Sequence, residues 1–335
     1  MLGVLNYYVN FGRAEILLLF FFGLISYLFL RFLTLLVQKI FWRAAQEPFS
    51  QQLLLKSAFS FCLLILLSLV VVGLAMKIID TPASVAKIAA VDNFLMAADK
   101  EIFGVYVPFW FQSNANALKP LFDWLSAVLI ATYLSLGTVL AAVFIFVLAV
   151  NSQKFYQMFL AFLLSIVLSL PFWYFFPSLS PLEGYIENVP GVLLPADISE
   201  AVFSYRPNDD LKIFFVHVKS VKANMADNFM AVTTMPSMHV AWATIALYFG
   251  ALTWAALVYF LAPFYILTFI AAVYTMQHYA VDTFAGALIA VAAITVVKKF
   301  AKTEPPLIIS ELSAQVRRGL NFLASRLRAI RLRRD

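Results

Sequence analysis

The chain has 335 residues, of which 63% are hydrophobic and 13% are charged, and its formal net charge is +6. An ordinary globular domain has about 45–50% apolar and about 25% charged residues, so the composition excludes a soluble protein, a disordered chain and a collagen-like fibre. It predicts a membrane protein built from apolar spans of about 20 residues. The single cysteine, Cys62, excludes a disulfide framework and a cysteine cluster for zinc.

Seven apolar runs are long enough to cross a bilayer, which predicts an all-α integral membrane fold. The first run lacks the basic start and the small-residue cleavage site of a signal sequence, so it is interpreted as a retained helix. In chain order, the predicted spans cover residues 14–37, 53–76, 121–149, 155–176, 236–253, 255–276 and 279–297.

Two long connections and a basic tail lie between and after these spans. Residues 77–120 alternate apolar and polar side chains from Val85 to Lys100, which predicts a helix on the membrane interface. Residues 177–235 are rich in proline and acidic residues, and loops of this length are usually functional or disordered. The tail after residue 300 spaces apolar residues at helical intervals among seven arginines. This pattern favours a cytoplasmic amphipathic helix on anionic lipid over nucleic-acid binding.

The distribution of lysine and arginine orients the chain, because cytoplasmic loops carry an excess of both. Fourteen positive charges, most of them in the tail, share one side of the membrane with only four acidic residues. The C-terminus is therefore predicted to be cytoplasmic, and the N-terminus and both long connections to lie on the periplasmic, extracellular or lumenal side. Trp110, Trp124 and Trp173 lie near predicted outer span ends and fit an interfacial aromatic belt.

Two of the three histidines stand at the starts of predicted spans, where ionisable residues are costly and are therefore candidates for function. His278 and Asp282 are spaced i, i+4, which places both side chains on one helix face. The carboxylate can then accept from one imidazole nitrogen and hold the other in the nucleophilic tautomer. A buried His–Asp hydrogen bond that only ties helices together is an equally open interpretation, and His239 by itself is an ordinary interfacial residue.

The segment before His239 adds a possible anion site. Pro236 suits the first turn of a helix, so Ser237 and the neighbouring backbone N–H groups are predicted at the positive end of that helix. Such an end is suited to bind phosphate. Parity of the spans places His239 and His278 on the same face of the membrane.

Together these residues resemble the second and third signatures of the type-2 phosphatidic acid phosphatase superfamily. Pro236-Ser-Met-His239 and His278-x-x-x-Asp282 occur in the order of these signatures and are predicted on the same membrane face. The closer resemblance is to the inositol phosphorylceramide synthase branch, which has Pro-Ser-Leu-His and Thr-His-His-Tyr-x-x-Asp at these places. This chain reads Thr275-Met-Gln-His-Tyr-Ala-Val-Asp282, with Gly286 further along the helix.

The resemblance covers roughly residues 120–300 and implies an organisation for the chain. It implies a catalytic membrane domain over residues 121–300 and, with the spans counted above, a six-helix phosphatase-like core with an extra N-terminal helix. Residues 1–120 then form a two-helix region with the outer interfacial segment, and residues 301–335 form the basic tail.

The resemblance also implies roles for site residues by position. His278 is expected to attack phosphorus and form a phosphohistidine, which Asp282 orients and stabilises. His239 is expected to protonate the leaving group, while Ser237 helps to hold the phosphoryl oxygens. No metal or other cofactor is expected, since helix dipoles and basic side chains can stabilise the charge on the transferred group.

The chain also departs from the phosphatases of that superfamily. They carry Lys-x6-Arg-Pro before the second signature, whereas Ser199 occupies the lysine position before Arg206 here. They also carry a Ser-Arg pair before the catalytic histidine, and Ala271 and Ala272 stand at those positions. A lost arginine removes a bidentate phosphate ligand. Arg206 and Lys222 of the outer loop are the favoured replacements, with a solvated loop charge as the alternative for each.

Three functions follow as hypotheses. The first is a membrane phosphotransferase that moves a phosphoryl-linked head group, such as inositol phosphate, from a phospholipid to a lipid alcohol such as ceramide. The second is a lipid phosphate phosphatase, in which water resolves the phosphohistidine. The third is a transporter or structural membrane protein. The expected partners are the donor and acceptor lipids and anionic lipid at the tail, without nucleic acid, and an accessory subunit or oligomer is left open.

Overall fold

The computed structural model describes residues 66–71, 73–75, 77–78, 84–115, 121–186, 196–204, 211–216, 234–301 and parts of 304–321. Within these ranges the chain forms helices joined by short connections and contains no strand, as the all-α prediction requires. The first predicted span, most of the second and the end of the tail lie outside the described residues.

Two helices form the predicted outer segment before the main bundle. Helix α1, Val85–Phe103, begins after Ser84, whose side chain accepts a hydrogen bond from a backbone N–H of the first turn. It ends at Gly104, whose φ of 74° is the left-handed conformation that closes many helices. Helix α2, Val107–Ala115, follows directly. The helix predicted from Val85 is confirmed, while its position at the membrane surface remains a prediction.

The next pair of helices is joined by a single residue. Helix α3, Leu121–Val150, is followed by Asn151 and then by helix α4, Ser152–Phe175. The Asn151 side chain accepts a hydrogen bond from the backbone N–H of Lys154 at 2.9 Å, which fixes the start of α4. A short π-helical turn, Leu182–Ile186, and helix α5, Ala196–Ser204, come after this pair.

The last three helices carry both predicted motifs. Predicted spans 236–253, 255–276 and 279–297 correspond, in that order, to α6, Met238–Thr253, α7, Val258–Tyr274, and α8, Ala280–Phe300. A 3₁₀ turn, Ala255–Leu257, joins the first two of these helices. Helix α6 is central, since it packs against α3, α4, α7 and α8.

Four helical segments in the described part of the chain are long and apolar enough to cross a membrane. A fifth helix, α6, is apolar but has only 16 residues. These segments make the chain a multi-pass membrane protein. The four are Trp124–Val150, Ser152–Phe175, Ala255–Tyr274 and Ala280–Phe300.

A close backbone contact brings the starts of α6 and α8 together. A Cβ atom added to Gly286 would lie 2.2 Å from the backbone oxygen of Ser237, so only glycine fits here without movement of one helix. The backbone N–H of Ser237 donates to the backbone oxygen of Asp282 at 3.0 Å. The prediction that both histidine-bearing helices begin at the same end of the bundle is confirmed.

Long side chains cap helix ends at the opposite side of the bundle. Lys154 Nζ donates to the backbone oxygen of Leu252 at 2.6 Å, and Arg317 donates to that of Val150 at 2.7 Å. Both cations therefore satisfy carbonyl groups at the negative ends of helices. Leu312, in the first part of the tail, is buried in the main hydrophobic core. The tail thus begins as part of the bundle, and its contact with lipid remains a prediction.

The aromatic belt prediction is wrong for one tryptophan. Trp110 and Trp124 are 45% and 67% exposed, as residues at a lipid or interfacial surface should be. Trp173 is only 6% exposed and belongs to the main core. Its side chain lies on the face of the last turn that points into the bundle, whereas Tyr174 and Phe175 in the same turn are exposed.

Candidate active site

The start of α6 presents His239 beside an aromatic ring. Ser237 is fully buried as the N-cap of α6, and its hydroxyl oxygen accepts from the backbone N–H of Val240 at 3.4 Å. His239 is half-buried in the first turn, where its ring stacks on Tyr133 of α3 with 4.4 Å between the centroids. This stacking fixes the plane of the imidazole against the bundle.

The turn between α7 and α8 places His278. The backbone N–H groups of Gln277 and His278 both donate to the carbonyl oxygen of Ala272, at 3.2 and 3.1 Å. Met276, at the centre of the turn, has a φ of 55°, a left-handed conformation that is uncommon for residues other than glycine. Ala271 and Ala272 are fully buried. Ala272, at the position where the phosphatases that the sequence resembles carry arginine, is therefore a small core residue that supports the His278 backbone.

The imidazole of His278 has a defined neighbour at each nitrogen. Its Nδ1 lies 2.9 Å from the carbonyl oxygen of Thr234, and its Nε2 lies 3.3 Å from Nδ1 of His239. Because a carbonyl oxygen can only accept, Nδ1 carries the proton in the neutral ring. The lone pair of Nε2 then points toward His239. This tautomer, with the proton on Nδ1, is the one that a nucleophile at Nε2 requires.

Asp282 lies at ion-pair distance from the Nδ1 side of the His278 ring. Its Oδ2 atom is 3.8 Å from His278 Nδ1 and accepts the backbone N–H of Tyr279 at 3.1 Å. Its Oδ1 atom is buried and has no hydrogen-bond partner among the described residues. The imidazole hydrogen bond that the sequence assigns to Asp282 is made by Thr234 in the structure, and the carboxylate contributes its charge at 3.8 Å.

Two aspartates of α1 reach the site, and sequence reasoning missed both. Asp99 is fully buried and accepts the backbone N–H groups of Ala280 and Val281, each at 2.9 Å. Asp92 is also buried and accepts the backbone N–H of Leu179 at 3.0 Å. Burial raises the pKa of the Asp92 carboxyl to about 8 and that of Asp99 to about 6. Their seven-residue spacing, which places both on one helix face, is the signal that could have drawn attention to them.

Phosphate binding by the other three predicted site residues is not tested by the structure. Arg206 and Lys222 lie outside the described residues, so their binding of phosphate stays a prediction. Phosphate binding by Ser237 also stays a prediction, although Ser237 is described and its hydroxyl caps α6. Where side chains are described, no group of three or more His, Cys, Asp or Glu residues is arranged to hold a metal ion.

The fold and the site together define a class of protein. It is a helical membrane protein in which two histidines and a carboxylate meet where two packed helices begin. The family model of the PAP2 superfamily matches residues 95–296, which is more than half of the chain and includes His239, His278 and Asp282. The chain therefore belongs to the PAP2 superfamily, the type-2 phosphatidic acid phosphatases and their relatives.

Membership of this superfamily supports a function of the lipid phosphatase or phosphotransferase type. Neither a curated protein nor a solved structure shows significant similarity to the chain. The family match extends into α1, beyond the region in which the sequence motifs lie, and takes in Asp99.

Proposed function

We propose that the protein is a membrane phosphotransferase that moves a phosphoryl-linked head group from a phospholipid to a lipid alcohol through His278. The observation that carries the proposal is the pairing at His278. Its Nδ1 proton is held by the Thr234 carbonyl at 2.9 Å, so the Nε2 lone pair faces His239. Inositol phosphate as the head group and ceramide as the acceptor are the specific version that the sequence resemblance favours.

In the first step, Nε2 of His278 attacks the phosphorus of the donor lipid, and the bond from phosphorus to the diacylglycerol oxygen breaks. His239, in its protonated form, donates a proton to that oxygen, so that a neutral alcohol leaves. The imidazole now carries the head-group phosphate on Nε2 and a positive charge on the ring. The Asp282 carboxylate, 3.8 Å from Nδ1, offsets this charge.

In the second step, the acceptor hydroxyl gives its proton to His239 and attacks the same phosphorus. The nitrogen–phosphorus bond breaks, and both histidines return to their starting protonation states. An in-line displacement places the leaving oxygen on the far side of phosphorus from the nucleophile. Because the two ring nitrogens are 3.3 Å apart in the free protein, the bound phosphoryl group must replace this contact and separate the rings.

Transfer is favoured over hydrolysis by the two departures from the phosphatase motifs. Ala271 and Ala272 are buried in the core, where the phosphatases have a Ser-Arg pair beside the phosphate. The lysine of the earlier phosphatase motif is replaced by Ser199. A site that lacks these cations depends more on interactions with the rest of the lipid, which suits a substrate with a large head group and a second lipid as acceptor.

The test is an incubation of purified protein with head-group-labelled phosphatidylinositol, with and without lipid-alcohol acceptors. Transfer predicts that the label appears in a new lipid only when an acceptor is present. Release of water-soluble inositol phosphate or phosphate alone would instead support the hydrolase. Absence of any product, together with movement of substrate across liposomes, would support a transporter. The His278→Ala protein is the control and should form no product.

A further inference from the structure

Helix α1 contacts the site through two carboxylates on one face. Asp92 and Asp99 are seven residues apart, two helical turns, and both are buried. Asp92 accepts one hydrogen bond and Asp99 accepts two, all from backbone N–H groups of residues far away in the sequence. These contacts join α1 to the start of α8 and to the segment around Leu179.

The Asp99 carboxylate fixes the start of α8. Its two oxygens separately accept the N–H groups of Ala280 and Val281, the first two residues of α8. The first N–H groups of a helix have no partner within the helix, so a carboxylate there satisfies them and complements the helix dipole. Because His278 and Asp282 lie on either side of these residues, Asp99 fixes the backbone that carries both.

The Asp92 carboxyl group acts on the opposite side of the ring through two further contacts. It accepts the N–H of Leu179, next to Ser178. The Ser178 hydroxyl oxygen accepts the N–H of Met235 at 3.2 Å, and the residue before it, Thr234, supplies the carbonyl that holds His278. Asp92 is thus linked to the acceptor of the Nδ1 proton by two hydrogen bonds and by the backbone that connects Leu179 to Ser178 and Met235 to Thr234.

We propose that Asp92 and Asp99 are positioning residues, which fix the His278 imidazole between the Thr234 carbonyl and the Asp282 carboxylate. The proposal rests on the proposed function in that His278 is taken as the nucleophile. Loss of either carboxylate releases one side of the ring, and the neutral ring then samples orientations in which Nε2 does not face the phosphorus. The effect falls on the chemical step rather than on lipid binding.

The test is a variant series with a matched control. Asp99→Asn keeps one acceptor oxygen and Asp99→Ala keeps none, so the loss of kcat should be graded. We expect a decrease of about 10-fold to 100-fold in kcat per folded protein for Asp99→Asn, and more for Asp99→Ala, with KM unchanged. Asp197→Asn is the control, since this exposed carboxylate also contacts α1, through Lys100 at 2.9 Å, and lies away from α8. It should leave kcat unchanged.

A second readout does not depend on activity. Hydrogen exchange of the Ala280 and Val281 amides should become about 10-fold faster in Asp99→Asn, because each loses or weakens a hydrogen bond, and should be unchanged in Asp197→Asn. If Asp99→Asn is not recovered folded, Asp92→Asn is measured in the same way, with faster exchange expected at residues 178–180 and 234–235.

The outcomes separate the two proposals. Wild-type protein without activity on any phospholipid would overturn the proposed function, while the exchange experiment would still decide whether the carboxylates hold these segments. Wild-type kcat per folded protein in the aspartate variants would overturn the positioning role, and so would unchanged exchange rates. A decrease in folded yield with full specific activity would also overturn it, because it would show that the carboxylates support only the fold.

Discussion

The carbonyl oxygen of Thr234 lies 2.9 Å from Nδ1 of His278, closer than the Asp282 carboxylate at 3.8 Å. A backbone group, rather than the carboxylate of the motif, therefore selects the tautomer of the candidate nucleophile. Because Thr234 belongs to the segment that leads into α6 and His278 to the turn that leads into α8, this bond depends on how the two helices pack. The packing of α6 and α8 thus determines the tautomer of His278 through one hydrogen bond.

The glycine at the contact of these helices provides the first prediction. Gly286→Ala places a methyl group 2.2 Å from the Ser237 backbone oxygen, and a backbone atom cannot move aside alone. We expect a loss of about 1–3 kcal/mol in stability together with reduced activity, because the Thr234–His278 bond is strained. Thermal unfolding in detergent measures the first effect, and the lipid transfer assay measures the second.

Gly137→Ala is the matched control for this change. Gly137 is inside α3, and a Cβ atom added there has no neighbour within 4 Å. Alanine should therefore leave activity unchanged and raise stability by about 0.5–1 kcal/mol, since it reduces backbone entropy in the unfolded chain. Equal effects of the two substitutions would show that the contact between α6 and α8 does not position the site.

A second prediction concerns the ring that stacks on His239. The Tyr133 and His239 rings lie 4.4 Å apart with an angle of 20° between their planes. Tyr133→Leu removes the flat surface and should lower kcat by about 10-fold, because the proton donor loses its orientation. Tyr133→Phe keeps the stack and should retain most of the activity. If both variants had the same kcat, the stacking would have no role in catalysis.

The roles of the two histidines can be separated by the leaving group, which gives a third prediction. His239→Ala should reduce transfer from a natural phospholipid by about 10²- to 10⁴-fold, the usual contribution of a general acid. A donor with a nitrophenol leaving group needs no proton for the first step, so the same variant should release nitrophenol in a single turnover at nearly the wild-type rate. His278→Ala should be inactive on both donors. An equal loss on both donors in His239→Ala would contradict the assigned role.

The buried carboxylate of Asp92 provides a fourth prediction, on stability and pH. Burial raises its pKa from 3.8 to about 8, against the effect of its hydrogen bond to Leu179, and Asp282 and Glu183 add to the increase. Between these two values the folded protein binds a proton that the unfolded chain has released. The contribution of Asp92 to the free energy of unfolding should therefore decrease as the pH rises from 3.8 to about 8.

Asp92→Asn lacks this titration, so the wild type should lose stability relative to the variant over that pH range. Asp99, whose pKa is raised to about 6, titrates in both proteins and cancels in the comparison. Thermal unfolding of the two proteins from pH 5 to pH 9 measures the difference. A difference that stays constant with pH would show that Asp92 does not change protonation on unfolding.

The sequence predicted much of the helical framework, because apolar runs long enough to span a bilayer leave few alternatives. The last three spans agree with α6, α7 and α8 to within a few residues at each end. The meeting of His239, His278 and Asp282 can also be predicted from the sequence, because the motif spacing and the parity of the spans bring them together.

The remaining contacts at the site could not be predicted from sequence. The Thr234 carbonyl is a backbone group, so no residue type marks it, and the stack of Tyr133 on His239 joins two helices that are distant in the sequence. Asp92 and Asp99 fall within the helix that the sequence predicts at the membrane surface, where carboxylates are ordinary. Asp99 is buried where α1 packs on the start of α8, and Asp92 is buried against Leu179 and Gly184. Spacing within one helix carries no information about these neighbours.

The central claim is that His278 carries the head-group phosphate during transfer. The most direct test is to mix the protein with head-group-labelled phosphatidylinositol in the absence of acceptor, quench in alkali and locate the label by peptide mass spectrometry. The account predicts an acid-labile adduct on His278 that is absent in His278→Ala and disappears when a lipid alcohol is added. Product formation at the wild-type rate by His278→Ala, or an adduct on another residue, would contradict the account.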